Sequence, residues 1–239
     1  MMKPKIAMVK NLQRLMEAYD AVENRDPGAD GMVLLYGQTG VGKTTGLIHL
    51  LNQTDAIYVE ASPAWTLGSM YRAIVTEIGV DPRGTSADLE RYIVDEMLTK
   101  NRPLFVDELD YLLMPGAKDT LRMLEALRSL HDKTRMPVVM VGMDKIETKI
   151  KLREQLARRV FQWVKFVDLD LEDARILADT LSDIPVEDRW LEALFAACKG
   201  RIAYLALNLK SARRRAKSGR WDAITMERWG APTFIVGGR

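Results

Sequence analysis

The sequence predicts an α/β protein with a five-stranded parallel sheet covered by helices, followed by a small helical domain. Three observations point there. Short apolar stretches alternate with longer amphipathic ones from residue 31 to about residue 170. A glycine-rich turn sits between the first such stretch and the helix after it. From Glu172 onward only helical periodicity remains. Strands separated by helices pair in parallel, because each crossover helix returns the chain to the same end of the sheet. The expected divisions are an N-terminal helix and linker (1–30), an α/β core (31–170), a helical domain (171–220) and a tail (221–239), with the boundary near 168–171.

The elements follow in order. Ile6, Val9, Leu12, Leu15, Met16 and Tyr19 recur at helical spacing and predict a helix over 5–23. Pro27, Gly28 and Gly31 then break the chain. Met32 to Tyr36 reads as the first strand, with a helix from Lys43 to about Asn52 behind the glycine turn. Ala56 to Glu60 is the second strand, and "SPAW" opens a helix to about Gly79. Ser86 is expected to cap the next helix, which runs to about Lys100. Leu104 to Val106 is a buried third strand, 118–133 a helix, Pro137 to Val141 the fourth strand. A helix near 144–154 and a strand from Trp163 to Val167 complete the core. Helices over 172–183, 187–198 and 200–217 make the helical domain.

Composition narrows the class. The chain is 47% hydrophobic and 28% charged, with a net charge of +2. That field is too weak to hold a polyanion, so any nucleic-acid contact must be a local basic surface. The single cysteine, Cys198, lies in an apolar run and reads as a buried, inert thiol. No stretch approaches the ~18 apolar residues of a membrane span. The N-terminus lacks the apolar core of a signal peptide. A cytoplasmic protein without a membrane partner is expected.

"LLYGQTGVGKTT" carries the chemistry. Gly37, Gly42, Lys43 and Thr44 fit the phosphate-binding loop completely, between a strand and a helix. Gly37, Gln38, Thr39, Gly40, Val41, Gly42, Lys43, Thr44 and Thr45 are the expected nucleotide-binding residues. Glycines let the amides turn onto the phosphates, and the helix N-terminus adds partial positive charge. Lys43 is expected to reach the β- and γ-phosphates of ATP, and the Thr44 hydroxyl to bind Mg²⁺. In "LFVDE", Asp107 completes the Mg²⁺ site and Glu108 polarises the attacking water. An acidic pair closing a buried apolar strand is costly without such a role. Glu108 beside Asp107 favours hydrolysis over transfer to a bound hydroxyl. Asp110 has two readings, a support behind the metal-site residues or a solvated loop residue, and the sequence favours the second.

Loop, acidic strand, "PVVMVG", "REQLARRVFQWVKF" and "CKGRIAYLALNL", in that order, resemble an AAA+ ATPase. The resemblance implies a P-loop core with a helical lid over the nucleotide. It implies an arginine just before the fifth strand that reaches a neighbouring subunit's site, here Arg159 with Arg158 as competitor. It implies a lid arginine at the γ-phosphate, here Arg201. The family's polar first sensor at the end of the fourth strand is missing; Met143 stands there, with Asp144 next to it. Within that family the chain is similar to the ATPases of transposition systems, the Mu B, TniB and TnsC types. That likeness implies ATP-dependent assembly as a ring or helical filament on double-stranded DNA in a bacterial cell, and delivery of that DNA to a transposase. A helicase loader and a small-molecule P-loop kinase are the alternatives.

Candidate DNA contacts are Thr66, Arg72, Arg83 and Lys118 near the expected pore, and Arg213, Arg214 and Arg215 in "KSARRRAKSGR". Trp65 is expected to pack on the core, and Trp221 and Trp229 to anchor a last helix. His49 and His131 lack companions at metal-ligand spacing and read as ordinary helix residues.

Overall fold

The computed structural model describes residues 6–114, 116, 119–230 and 233–236. Contacts divide the chain into two compact units. One comprises 14–38 and 43–165; the other comprises the N-terminal residues to Gln13, residues 39–42 and the chain from Phe166 onward.

The first unit holds the sheet. Its strands are β1 (Met32–Gly37), β2 (Ile57–Glu60), β3 (Leu104–Asp107), β4 (Val138–Gly142) and β5 (Val160–Phe166, whose last residue belongs to the other unit), in the order β2-β3-β4-β1-β5. β2 with β3, β3 with β4, and β4 with β1 are parallel. Every residue of β1, β3 and β4 is buried. Continuous apolar strands of this kind need cover on both faces. On one face, Met32, Leu34, Leu104, Val106, Val138 and Met140 pack with α3 (Leu67–Glu77), α4 (Ser86–Thr99) and α5 (Thr120–Thr134). Phe105 points to the other, where Tyr19 of α1 (Lys10–Glu23) meets its ring edge-on at 5.9 Å. α2 (Lys43–Leu51) follows the glycine loop.

Several boundaries differ from the sequence reading. α4 is capped by Thr85, not Ser86: the Thr85 hydroxyl accepts the Asp88 N–H while Asp88 accepts the Thr85 N–H. A short 3₁₀ helix, Leu109–Leu113, follows β3 where no element was expected. The helix expected near 144–154 is two, α6 (Ile146–Lys151) and α7 (Glu154–Ala157). β5 starts at Val160, three residues early, because its entry is fixed from outside: the Met32 N–H donates to the Arg159 carbonyl at 3.0 Å. Trp65 packs against the core as expected.

His131 is not an ordinary helix residue. It is fully buried in α5, its Nε2 accepts the Gly31 N–H at 3.1 Å, and its Nδ1 lies 2.9 Å from the Met136 carbonyl. Only a neutral ring with its proton on Nδ1 satisfies both partners. The ring thereby ties α5 to the entries of β1 and β4.

The second unit is helical: α8 (Leu171–Leu181), α9 (Asp188–Cys198), α10 (Ile202–Ser218) and the short α11 (Met226–Trp229). Asp170 caps α8 by accepting the Asp173 N–H at 2.9 Å. The N-terminal segment belongs here: buried Asn11 donates to the Val167 carbonyl at 2.7 Å and accepts the Val167 N–H at 3.2 Å. Cys198 is buried, and burial pushes its thiol up to about 11. Among the described residues no helix is long and apolar enough to cross a membrane.

Burial holds the His131 pKa below its ordinary 6.5. Below that pH the unfolded chain binds a proton that the folded chain refuses, so stability falls as pH drops from about 6.5 toward the folded value. Urea unfolding at pH 7.5 and 5.5 checks this. His131→Gln is expected to be less stable at the higher pH and to lose less than the parent on acidification.

Candidate nucleotide site

The loop after β1 turns on glycines in the left-handed region, Gly40 at φ +84° and Gly42 at φ +95°. A side chain at either would strain the backbone. Lys43 begins α2, and its ammonium donates to the carbonyls of Gly37 at 2.8 Å and Gln38 at 3.0 Å. Thr44 and Thr45 are exposed on the first turn of α2. Burial lowers the Lys43 pKa, while Glu108, Asp107, Asp110 and Asp144 oppose that shift. Four carboxylates therefore lie within electrostatic reach of this ammonium, Asp144 being paired with Lys165 as well.

Asp107 ends β3 almost buried, 5% exposed, with Oδ1 accepting the Glu108 N–H at 2.7 Å. Burial and then Glu60 push its carboxyl up; the Glu108 N–H and then Lys43 pull it down. Glu108 is raised by burial and then by Asp107. Its φ of +52° is left-handed. That kink turns the chain out of the sheet into the 3₁₀ helix and leaves the Glu108 side chain half-buried at the strand's end. In the β2–β3 register Glu60 pairs with Asp107.

Asp110 is not the solvated loop residue that the sequence favoured. It is buried, 9% exposed, and its carboxylate accepts the Met143 N–H just after β4. Gly142 allows this approach: a Cβ there would stand 2.7 Å from Asp110 Oδ2 and 2.4 Å from Ile146 Cδ1. In sequence, Asp110 is signalled only by its place inside the apolar "LDYLL". Because β4 lies between β1 and β3, its carboxyl end sits between Gly37 and the acidic pair. The Met143 side chain is 48% exposed, and Asp144 pairs with Lys165 at 3.0 Å.

The donor set fits Mg²⁺. Among the described residues no group of three His, Cys, Asp or Glu is placed to hold a metal ion alone. A Thr44 hydroxyl with one Asp107 carboxylate suits an ion that takes its other ligands from phosphates and water.

In the helical unit, residues 39–42 of the loop meet the start of α10. Arg201 Nη1 donates to the Thr39 carbonyl at 3.4 Å, and its Nε lies 3.4 Å from Asp168. The Ala203 N–H donates to the Gly40 carbonyl at 3.3 Å, and Ile202 would touch a Cβ on Gly42 at 3.4 Å.

Arg159 is engaged within its own chain, with Nε 2.7 Å from Asp132 and 3.4 Å from Asp30. Arg158 is 77% exposed, with Glu154 at 3.9 Å. The DNA candidates are dispersed. The Thr66 hydroxyl caps α3. Arg72 is exposed, and Arg83 pairs with Asp81 at 2.6 Å. Lys118 lies outside the described residues. Arg213 pairs with Asp183 at 2.6 Å, Arg214 is exposed, and Arg215 lies over the rings of Trp221 and Trp229.

Comparison with known proteins agrees with this geometry. Residues 25–150, just over half the chain, match the family model of the AAA domain. The chain is 31% identical over 157 residues to the general secretion pathway protein A of Aeromonas hydrophila, covering 60% of this chain and 28% of that one. It is 29% identical over 126 residues to the Mu-like prophage FluMu DNA transposition protein B of Haemophilus influenzae, covering 52% and 42%. The chain thus spans less than half the length of either relative. The ORC2 protein of Aeropyrum pernix, solved as ADPNP-ADP complexes, superposes with a TM-score of 0.65 over 91% of this chain and 63% of that one, at 19% identity. That likeness shows the fold alone. With a glycine loop, a buried acidic strand end and a five-stranded sheet ordered around them, the chain belongs to the AAA domain family.

Proposed function

We propose that this chain is an ATP- and Mg²⁺-dependent ATPase that assembles on double-stranded DNA with little sequence preference and delivers it to a transposase. The carrying observation is the Asp107–Glu108 pair, held by burial beside the Lys43 ammonium at the carboxyl edge of the sheet. Asp107, Glu108 and Asp110 act on Lys43 while Asp144 is paired with Lys165, so the site is short of positive charge on its own. Thr44 and Asp107 would hold Mg²⁺, which would supply positive charge to the phosphates when bound.

The chain's own groups do the rest. The loop amides and Lys43 orient the triphosphate; Lys43 exchanges its two loop carbonyls for phosphate oxygens. Glu108 takes a proton from a water as the water oxygen bonds to the γ-phosphorus and the bond to the ADP oxygen breaks. Asp110 ties the turn that carries Glu108 to the end of β4, so both move together. Arg201, at the Thr39 carbonyl, is assigned to the γ-phosphate, and the Arg158–Arg159 pair to the site of a neighbouring copy. Arg159 must leave Asp132 to act there, whereas Arg158 is already exposed.

The DNA role is supported by the match to a DNA transposition protein and by the exposed Arg72 and Arg214. The longer match to a secretion-pathway protein supports a second reading, an ATPase motor that serves a protein partner without DNA. A helicase-loader role falls under that reading. A small-molecule kinase fits less well, because Glu108 stands where a bound acceptor would need no water-activating base.

Binding to a random-sequence duplex, measured with ATP, with ADP and without nucleotide over a salt series, separates the two readings. Binding only with ATP, falling steeply with salt and lost in Lys43→Ala, is expected. Binding in no state overturns the DNA role and leaves the ATPase. Glu108→Gln is expected to keep ATP while hydrolysis falls about 100-fold or more, and to stay on DNA longer than the parent; faster release contradicts the use of hydrolysis as a timer. Arg158→Ala is expected to lower assembly-dependent hydrolysis about tenfold or more with an unchanged melting temperature. Arg159→Ala is expected to lower the melting temperature as well, since Asp30 loses its ion pair and Asp132 is left with Arg128 alone.

A further inference from the structure

At the opposite end of the sheet from Gly37 and Asp107, a cavity of about 400 Å³ opens where the chain enters β1, β3 and β4. Pro103 and Pro137, each one residue ahead of a strand, line it together with Tyr19 of α1 and the turn 25–29. All of these residues belong to the first unit. The volume is that of a small-molecule site.

Two arginines meet there without a carboxylate between them. The Arg25 guanidinium is locked by the backbone: Nε donates to the Ala29 carbonyl at 3.1 Å, Nη1 to the Val22 carbonyl and Nη2 to the Arg135 carbonyl. Gly31 leaves room for it, since a Cβ there would stand 2.4 Å from Arg25 Cζ. Three of its five N–H groups are engaged, and one remains on each terminal nitrogen. Arg135 is exposed and forms no ion pair among the described residues. Burial and then the charge of Arg135 lower the Arg25 pKa; Asp30 opposes this, but is itself paired with Arg159 at 3.4 Å. Two like charges in this position are unfavourable until an anion joins them.

The third polar group is the Tyr19 hydroxyl. Tyr19 is 4% exposed, and its hydroxyl has no hydrogen-bond partner among the described residues. The charges that act on it are Glu23 and Arg25, both of which line the cavity. Burial and then Glu23 raise its pKa above the ordinary 10, so it remains an O–H donor. A buried hydroxyl without a partner costs stability. Much of the remaining lining is apolar, with Pro27 and Met136 beside Pro103 and Pro137. Glu23 and Asp26 are exposed at the same cavity and oppose a second negative charge on any ligand.

We infer that this cavity binds a small aromatic monocarboxylate, held with its carboxylate between Arg25 and Arg135, accepting the Tyr19 O–H, and with its ring on the prolines and Met136. A planar carboxylate matches guanidinium N–H groups. A phosphate dianion would meet Glu23 and Asp26 instead. The thioether of Met136 and the proline rings suit a flat aromatic body. The inference is independent of the proposed ATP chemistry.

Benzoate and 2-naphthoate bracket the ring size and serve as probes. Each is titrated into the full chain with ADP and Mg²⁺ in excess, and binding is followed by NMR shifts of the protein. Saturable binding of at least one acid at a single site, with a dissociation constant below about 1 mM, is expected. The corresponding carboxamide, similar in shape and uncharged, is expected to bind at least about tenfold more weakly. Arg135→Asn removes the exposed guanidinium and keeps a residue that tolerates the φ of +56° there. It is expected to weaken carboxylate binding at least about tenfold. Tyr19→Phe is expected to weaken it about threefold or more, with a melting temperature unchanged or higher because an unpartnered hydroxyl is removed. No saturable binding of either acid overturns the inference. So does binding that is equally tight for the carboxamide, in Arg135→Asn or in Tyr19→Phe.

Discussion

The structure depends on one constraint: its central strands are buried along their whole length. β1, β3 and β4 have no exposed position on either face, so no polar side chain fits between their ends. Polar chemistry is confined to the strand ends. Since the strands all stop on the same side, Gly37, Asp107 and Gly142 arrive together. The end of β1, the acidic pair and the end of β4 are neighbours because of sheet order, not chain proximity.

That edge is electrostatically unbalanced in a useful way. Burial disfavours the charges of Asp107, Glu108 and Lys43, lifting the first two and lowering the third. Lys43 and Glu108 ease each other by opposite charge, while Asp107 is eased first by the Glu108 N–H and then by Lys43. The ammonium rests on two loop carbonyls, weaker partners than phosphate oxygens. A site so arranged has a low cost of rearrangement when a polyanion with its counter-cation enters. Asp110 adds rigidity: by accepting a backbone N–H beyond β4, it makes the turn carrying Glu108 part of two strand ends at once. The close approach at Gly142 is the steric condition for that bond.

The helical unit is organised differently. It uses buried asparagines as two-bond clamps on irregular backbone, Asn11 on Val167 and Asn208 on Ile235. Such side chains satisfy N–H and C=O groups that would otherwise be stranded outside any helix. Basic residues that read as one run along α10 are partitioned by it: Arg213 and Lys217 go to Asp183, Arg215 goes to two indoles, and Arg214 faces solvent.

Much of this was determined by local sequence. Apolar runs of four to six residues set the strands, glycines at fixed spacing set the loop, and a Glu after Asp at a strand end announced the acidic pair. Each depends on neighbours a few residues away. Tertiary structure decided what depends on distant partners. Asp110 and a solvated aspartate look alike until β4 brings the Met143 N–H to it. His131 becomes a buried tie only when Gly31 and Met136 flank it. β5 begins at Val160 because β1 reaches for the Arg159 carbonyl, and Arg159 differs from Arg158 because Asp132 lies in α5. The physical reason is common to all four: a polar group's role is set by the partner that satisfies it after burial, and that partner is chosen by the fold.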